Sequence, residues 1–417
     1  MTDNEPICHY RYDLDALARH VSAVVAALPP RCRMFYAMKA NSAPPLLRTL
    51  APIVAGFEVA SGGELAKASA AGARQTLFGG PAKTPAEISQ SLRQGVSRLH
   101  AESVLELHRI SDAAQRSGRT ARVLLRVNLS GGFPPATLAM AGRPTQFGIE
   151  EAALGEAVRT ALELPGIRFA GFHLHSLSNN LSAAAHLELL ELYRRKICGW
   201  EAEFGLRCEA VDVGGGIGVN YADGGEAFDW TAFTAGLTRL VRTFPRHWKD
   251  IDFECGRFLV AGCGSYFTEV LDVKHNHGVN YVLVRGGTHH FRLPASWQHS
   301  HPFVVHPVDR WPTRLPRPEL AGQAVTVVGE LCTPKDVLAR DVVVDRVRPG
   351  DVLEFRLAGA YGWEISHHDF LSHPHPEQLF HSRESPAPAR ESPAPARESP
   401  APAREFRAPD ASPRRRE

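Results

Sequence analysis

The sequence predicts an α/β fold, a (β/α)8 TIM-like barrel followed by a second, all-β C-terminal domain, and three observations predict it. Between about residues 25 and 262, eight short apolar runs alternate with helical patterns, the strand count of a closed parallel barrel. Beyond residue 263 the helical periodicity fades and strand-like runs take over. The chain has 417 residues, 44% of them hydrophobic, enough for a large barrel and a further domain. A doubly wound open sheet is the competing arrangement, and the eightfold count favours the barrel.

The elements follow in order. Residues 1–24 form an N-terminal segment whose strand-like stretch 9–13 is expected to join the β domain. The barrel, residues 25–262, takes its strands from 33–38, 56–60, 75–78, 97–100, 121–128, 168–175, 209–213 and 250–254. Two helix starts carry capping-box spacing: Ser61 with Glu64, and Thr84 with Glu87, the second with Pro85 at the first helical position. The β domain, residues 263–382, is expected to hold strands at 266–273, 280–285, 324–328, 341–347 and 352–357. From Arg383 the heptad Arg-Glu-Ser-Pro-Ala-Pro-Ala repeats three times. Residues 383–417 have too little apolar bulk for a core and are read as a disordered, Pro-rich tail.

Composition excludes several classes of partner. A formal charge of +2 gives no reason to expect nucleic acid or membrane. Seven scattered cysteines without CxxC spacing suit reduced thiols in a cytoplasmic protein. The polar, acidic start is no signal peptide, and no run of about 20 apolar residues is present.

The chemistry gathers at strand ends, which in such a barrel converge on one mouth. Lys39 directly follows the run Met34 to Met38. Burial at a strand end is expected to lower its ammonium pKa and free an amine for Schiff-base formation. His173 and His175 end the sixth run on one face, where a stacking or hydrogen-bonding imidazole is favoured over a metal ligand. Asp212-Val-Gly-Gly-Gly-Ile-Gly218 ends the seventh run, and Gly214, Gly215 and Gly216 leave backbone N–H groups open to a phosphate. Glu254 and Arg257 end the eighth run. They read either as a plain salt bridge or as a carboxylate for a cationic ring and a guanidinium for phosphate. Together, an amine, a phosphate cradle, an arginine, a flat imidazole and a carboxylate are what pyridoxal 5'-phosphate requires.

At these motifs the chain resembles the fold-type III pyridoxal-phosphate decarboxylases, the diaminopimelate, ornithine and arginine decarboxylase family. The resemblance spans roughly residues 7 to 380 and rests on YAMKAN at 36–41, FEVASGGEL at 57–65, RPTQFGI at 143–149, GFHLHSLS at 171–178, DVGGGIG at 212–218, ECGR at 254–257, ELCTPKDVLA at 330–339 and AGAYG at 358–362. It implies that Lys39 is the Schiff-base lysine and His175 the stacking ring. It implies that Ser178, Gly214 to Gly216, Arg257 and Tyr361 hold phosphate, and that Glu254 meets the pyridine nitrogen. It also implies a homodimer in which Cys332 reaches the partner's site. Leu177 stands where the family usually has Gly, which is expected to alter the local loop.

Within that family, WQHSHPF at 297–303 and GWEISHHDFLSHPHPE at 362–377 look like the decarboxylases of staphyloferrin B-type siderophore pathways. These act on a citryl-diaminopropionate intermediate and leave citryl-ethylenediamine. Thr333 supports that reading, because the family's diaminopimelate and ornithine enzymes carry Glu or Asp there for a distal ammonium. Citrate carboxylates need cations instead, which Arg143 and Arg292 are placed to supply, while Asp336 remains as an alternative acid. The His-rich ending (His367, His368, His373, His375) suggests a metal site, but His-Pro-His-Pro is poor ligand geometry and no metal is expected there. The alternatives are a diaminopimelate, ornithine or lysine decarboxylase, an amino-acid racemase, and a non-catalytic cofactor carrier. Glu254 argues against the racemase, which places Arg at the pyridine nitrogen, and the β domain with Cys332 argues against the carrier.

Overall fold

The computed structural model describes residues 5–131, 138–139, 144–221 and 225–383. The repeat tail from residue 384 onward and Arg143 lie outside the described residues.

All eight expected barrel strands form, and all pair in parallel. They are Cys32–Ala37, Gly56–Val59, Thr76–Phe78, Arg98–Ala101, Ala121–Asn128, Ile167–His173, Ala210–Asp212 and Asp250–Cys255. Each pairs with the next, and Asp250–Cys255 returns to Cys32–Ala37, so the sheet closes. Strands buried on both faces read as continuous apolar runs, and Gly56–Val59 and Arg98–Ala101 are buried at every position. Both capped helices begin where the spacing predicts. Glu64 N donates to Ser61 Oγ at 3.2 Å, and Thr84 and Glu87 close a reciprocal capping box ahead of Pro85–Gln94.

The sixth strand ends two residues earlier than expected, at His173. Beyond it, Leu177–Ser178 pairs with Leu138–Ala139, so Leu177 sits in a short two-stranded ladder.

The second sheet has eight strands around the long strand Gly264–Asn276. Cys8–Asp13 pairs antiparallel with that strand, and Asp13 then caps the helix Leu14–Ala26. The five strands expected after residue 263 are all present within a few residues of their predicted bounds. Sequence patterning misses two more, Phe303–His306 and Glu377–His381. Both follow Pro- and His-rich stretches, which read as loop chemistry.

The end of the barrel opposite the mouth is plugged by charge. Arg98, 1% exposed, and Arg33 both grip Asp252, which is fully buried, at 2.9 and 2.8 Å. Asp250, 3.2 Å from Arg33 and 3.4 Å from Arg98, is a second carboxylate shared by the same two guanidinium groups, so removing Asp252 takes the closer of two partners from each. Asp252→Ala should therefore cost roughly 1–3 kcal/mol of stability, read as a lower melting temperature in a thermal scan. An unchanged melting temperature would show that Asp250 serves both arginines alone.

Candidate active site

The strand ends converge on a cavity of about 540 Å³. Lys39, His175, Ser178, Gly216, Glu254, Arg257, Arg292 and Tyr361 all line it, so most of the residues singled out in the sequence come together.

Lys39 sits on a 3-10 turn after the first barrel strand. Its side chain is 47% exposed, open to the cavity, with Nζ 3.5 Å from Glu58 Oε2. The expectation of a lowered ammonium pKa is wrong for this arrangement. The Glu58 carboxylate raises the lysine pKa by more than burial lowers it. Burial in turn lifts Glu58 to about 7, against the opposing pull of Lys39. The lysine is therefore favoured as the ammonium, beside a carboxyl that burial makes easier to protonate.

His175 is held neutral, chiefly by burial and then by the charges of Lys39 and Arg126. Gly215 N donates to its Nδ1 at 3.0 Å, which ties the ring's edge to the glycine turn and leaves the other nitrogen carrying the proton. Gly214 adopts φ +65°, and a Cβ there would run into His175 Nδ1. The turn is fastened from below, since Gly214 N donates to Asp212 Oδ1 at 2.8 Å. Gly216, at φ +89°, has no room for a Cβ against Leu177 O.

Arg257 is 6% exposed and makes no ion pair among the described residues. The salt-bridge reading with Glu254 therefore fails. Instead its guanidinium lies 4.0 Å from the Trp297 ring centre, 4.6 Å from Tyr361 and 5.6 Å from Tyr221, and donates to Tyr221 Oη at 2.8 Å. Aromatic faces hold a cation while leaving its remaining donors available.

Glu254 is buried against two imidazoles. His173 Nε2 lies 3.3 Å from its Oε2, and His100 Nδ1 3.6 Å from its Oε1. His100 also approaches Asp212 at 3.5 Å. On distance alone His100, His173 and Glu254 could hold a metal ion, with one ligand atom each inside 4.8 Å. The same carboxylate lines the cavity, where it would meet a cationic ring nitrogen.

Sequence reasoning missed Glu58, Arg126 and His100. Each is a charged or ring-nitrogen residue inside an apolar strand (Phe-Glu-Val, Leu-Arg-Val, Leu-His-Ala), and that signal was available. Arg126 lines the cavity, bonded to Glu102 at 2.8 Å.

Five predicted residues do not line the cavity. Two are Gly214 and Gly215, whose amides are bonded to Asp212 and His175 and so are not open to a phosphate as expected. The other three lie on the second sheet's side. Cys332 is exposed and does not line it. Thr333 borders a neighbouring cavity of about 800 Å³. Asp336 is 2% exposed, and its carboxylate accepts from Thr288 N at 2.6 Å and Leu331 N at 2.9 Å. It fastens two turns, so its expected role as a substrate-binding acid is corrected. The C-terminal histidines are also dispersed. His368 stacks on Trp363 at 3.5 Å, His375 bonds Asp369, and His373 meets Glu330.

The residues present fit pyridoxal phosphate. A buried cation without a carboxylate, a glycine turn with no room for side chains, a neutral flat imidazole and an amine share one cavity. The family model described as pyridoxal-dependent decarboxylase, pyridoxal binding domain, matches residues 14–261. The 2-[(L-alanin-3-ylcarbamoyl)methyl]-2-hydroxybutanedioate decarboxylase of Staphylococcus aureus is 48% identical over 378 residues, covering 90% of this chain and 94% of its own. The diaminopimelate decarboxylase of Neisseria meningitidis serogroup B is 33% identical, covering 85% and 83%. The crystal structure of diaminopimelate decarboxylase from Helicobacter pylori complexed with L-lysine is 27% identical with a TM-score of 0.78, covering 92% and 93%. If Arg257 anchors the phosphate, Arg257→Gln should weaken pyridoxal phosphate binding roughly ten- to hundredfold, the range for losing a charge-assisted hydrogen bond. Titrating the cofactor's visible absorbance measures this, and unchanged affinity would place the phosphate elsewhere.

Proposed function

The chain belongs to the pyridoxal-dependent decarboxylase family. From that premise we propose that it releases carbon dioxide from a citryl-diaminopropionate siderophore intermediate, leaving citryl-ethylenediamine. The observation that carries this reading is the likeness to the Staphylococcus aureus enzyme across nearly the whole of both chains. The name of that relative describes an amino acid joined through an amide to a 2-hydroxybutanedioate. Such a substrate has no free distal ammonium, which agrees with Thr333 where an acidic anchor would otherwise stand.

Bound pyridoxal phosphate supplies an aldehyde to capture an amine and a ring that accepts the electron pair left when carbon dioxide departs. The chain's own residues would hold and tune it. Lys39 would provide the resident amine. Glu58, 3.5 Å from Nζ, would be the group to accept its proton. Arg257, Ser178, Tyr361 and the amide of Gly216 would hold the phosphate. His175 would lie against the ring, and Glu254 would keep a proton at the ring nitrogen.

We also infer a cytoplasmic homodimer with shared sites. Among the described residues no helix is long and apolar enough to cross a membrane. Cys332, exposed and away from the Lys39 cavity of its own chain, is free to serve the partner's. Lys39→Ala and Cys332→Ala proteins should each be inactive, and mixing them with subunit exchange should restore partial activity. Proven exchange without recovery would argue for sites built within one chain.

Carbon dioxide release across a panel of citryl-diaminopropionate, diaminopimelate, ornithine and lysine tests the substrate. An unmatched buried ammonium costs several kcal/mol, so kcat/KM should favour the citryl conjugate by roughly 10³-fold or more. Diaminopimelate turned over at a comparable rate would replace this reading with the plainer decarboxylase.

A further inference from the structure

Beside the Lys39 cavity lies the larger one, of about 800 Å³, which also contains Thr333. Arg292 and Ser296 line both, so the two spaces adjoin. The larger cavity carries three permanent cations, Arg292, Lys335 and Arg340, and no carboxylate among its lining residues. None of the three makes an ion pair among the described residues. The two lining histidines add no charge, because burial, followed by Arg257 and Arg292 respectively, disfavours protonation of His299 and His367.

The cations come from separate elements that the β domain holds together. Arg292 precedes the short helix Leu293–Trp297, and its backbone N donates to Ser366 Oγ at 3.0 Å. Lys335 lies on the turn that Asp336 fastens from beneath. Arg340 belongs to the strand Val337–Val347, and Ser300 Oγ both accepts from its N at 2.9 Å and donates to its O at 3.0 Å. Unpaired cations that converge on one concavity attract a ligand with several carboxylates.

We propose that this second cavity is the subsite for the polycarboxylate arm of the substrate, with Lys335 and Arg340 as specificity-determining residues beyond Arg292. The inference rests on the citryl reading above and adds to it where the arm is held. An amino acid captured near Lys39 would extend its amide past Arg292. The hydroxybutanedioate end, with two carboxylates and a hydroxyl, would then lie among the three cations, near the Thr333 hydroxyl.

Citrate alone, titrated calorimetrically into the holoenzyme, tests the subsite without requiring turnover. The Lys335→Gln/Arg340→Gln double variant should bind citrate at least roughly tenfold more weakly than the native enzyme. Its KM for the citryl conjugate should rise by a similar factor with kcat nearly kept, while Arg340→Lys retains most of the affinity. Circular dichroism establishes that these exposed positions leave the fold intact. Citrate affinity and KM both unchanged in the double variant would overturn the subsite. If the native enzyme ignores the citryl conjugate but loses citrate binding in the double variant, the subsite stands and the substrate reading falls.

Discussion

The site depends on one buried charge, the guanidinium of Arg257. Burying a cation without an anion is costly, and here the cost is offset by three aromatic faces and one phenol. Those rings come from both halves of the molecule. Tyr221 follows the glycine turn of the barrel, whereas Trp297 and Tyr361 belong to the chain beyond Gly264–Asn276. The same contacts therefore close the barrel mouth and aim a cation into the cavity. An anion arriving there completes a pair that the protein has left half made, which is preorganisation in the electrostatic sense.

Much of this was legible in the sequence, because parallel barrel strands buried on both faces leave runs of apolar residues that need no partner to be recognised. Lys39, the glycine turn and Arg257 stand at the ends of such runs, and the barrel brings those ends together. Glu58, Arg126 and His100 were harder to find. A charged residue within a strand normally reads as facing solvent, and only closure of the sheet turns that face toward the cavity. The turn around Cys332 shows the opposite failure. Cys332, Thr333 and Asp336 are near neighbours in sequence, yet they point to solvent, to the second cavity and into the backbone beneath. Sequence proximity suggested a shared role that a tight turn does not allow.

The charge state of Lys39 shows why burial alone is a poor guide. Desolvation does act on it, but a carboxylate 3.5 Å away outweighs desolvation. The consequence is chemical as well as structural. Burial alone would favour the neutral amine. Beside Glu58 the ammonium is favoured instead, so its nucleophilicity depends on its neighbour. The neutral His175 ring beside it adds no competing positive charge.

The two cavities differ in which elements supply their charged groups. Groups that would touch the reacting centre sit on barrel strand ends and short turns fixed by the closed sheet, where an error of a fraction of an ångström would matter. The cations of the second cavity sit beside a short helix, on a turn and on a strand of the other sheet, held by Ser366, Asp336 and Ser300. Binding a carboxylate needs less exact placement than the reacting centre does, because charge attraction falls off slowly with distance. Substrate choice can then be set by side chains on the β domain without disturbing the geometry around Lys39. Arg292, bordering both cavities, is the point where the two requirements meet.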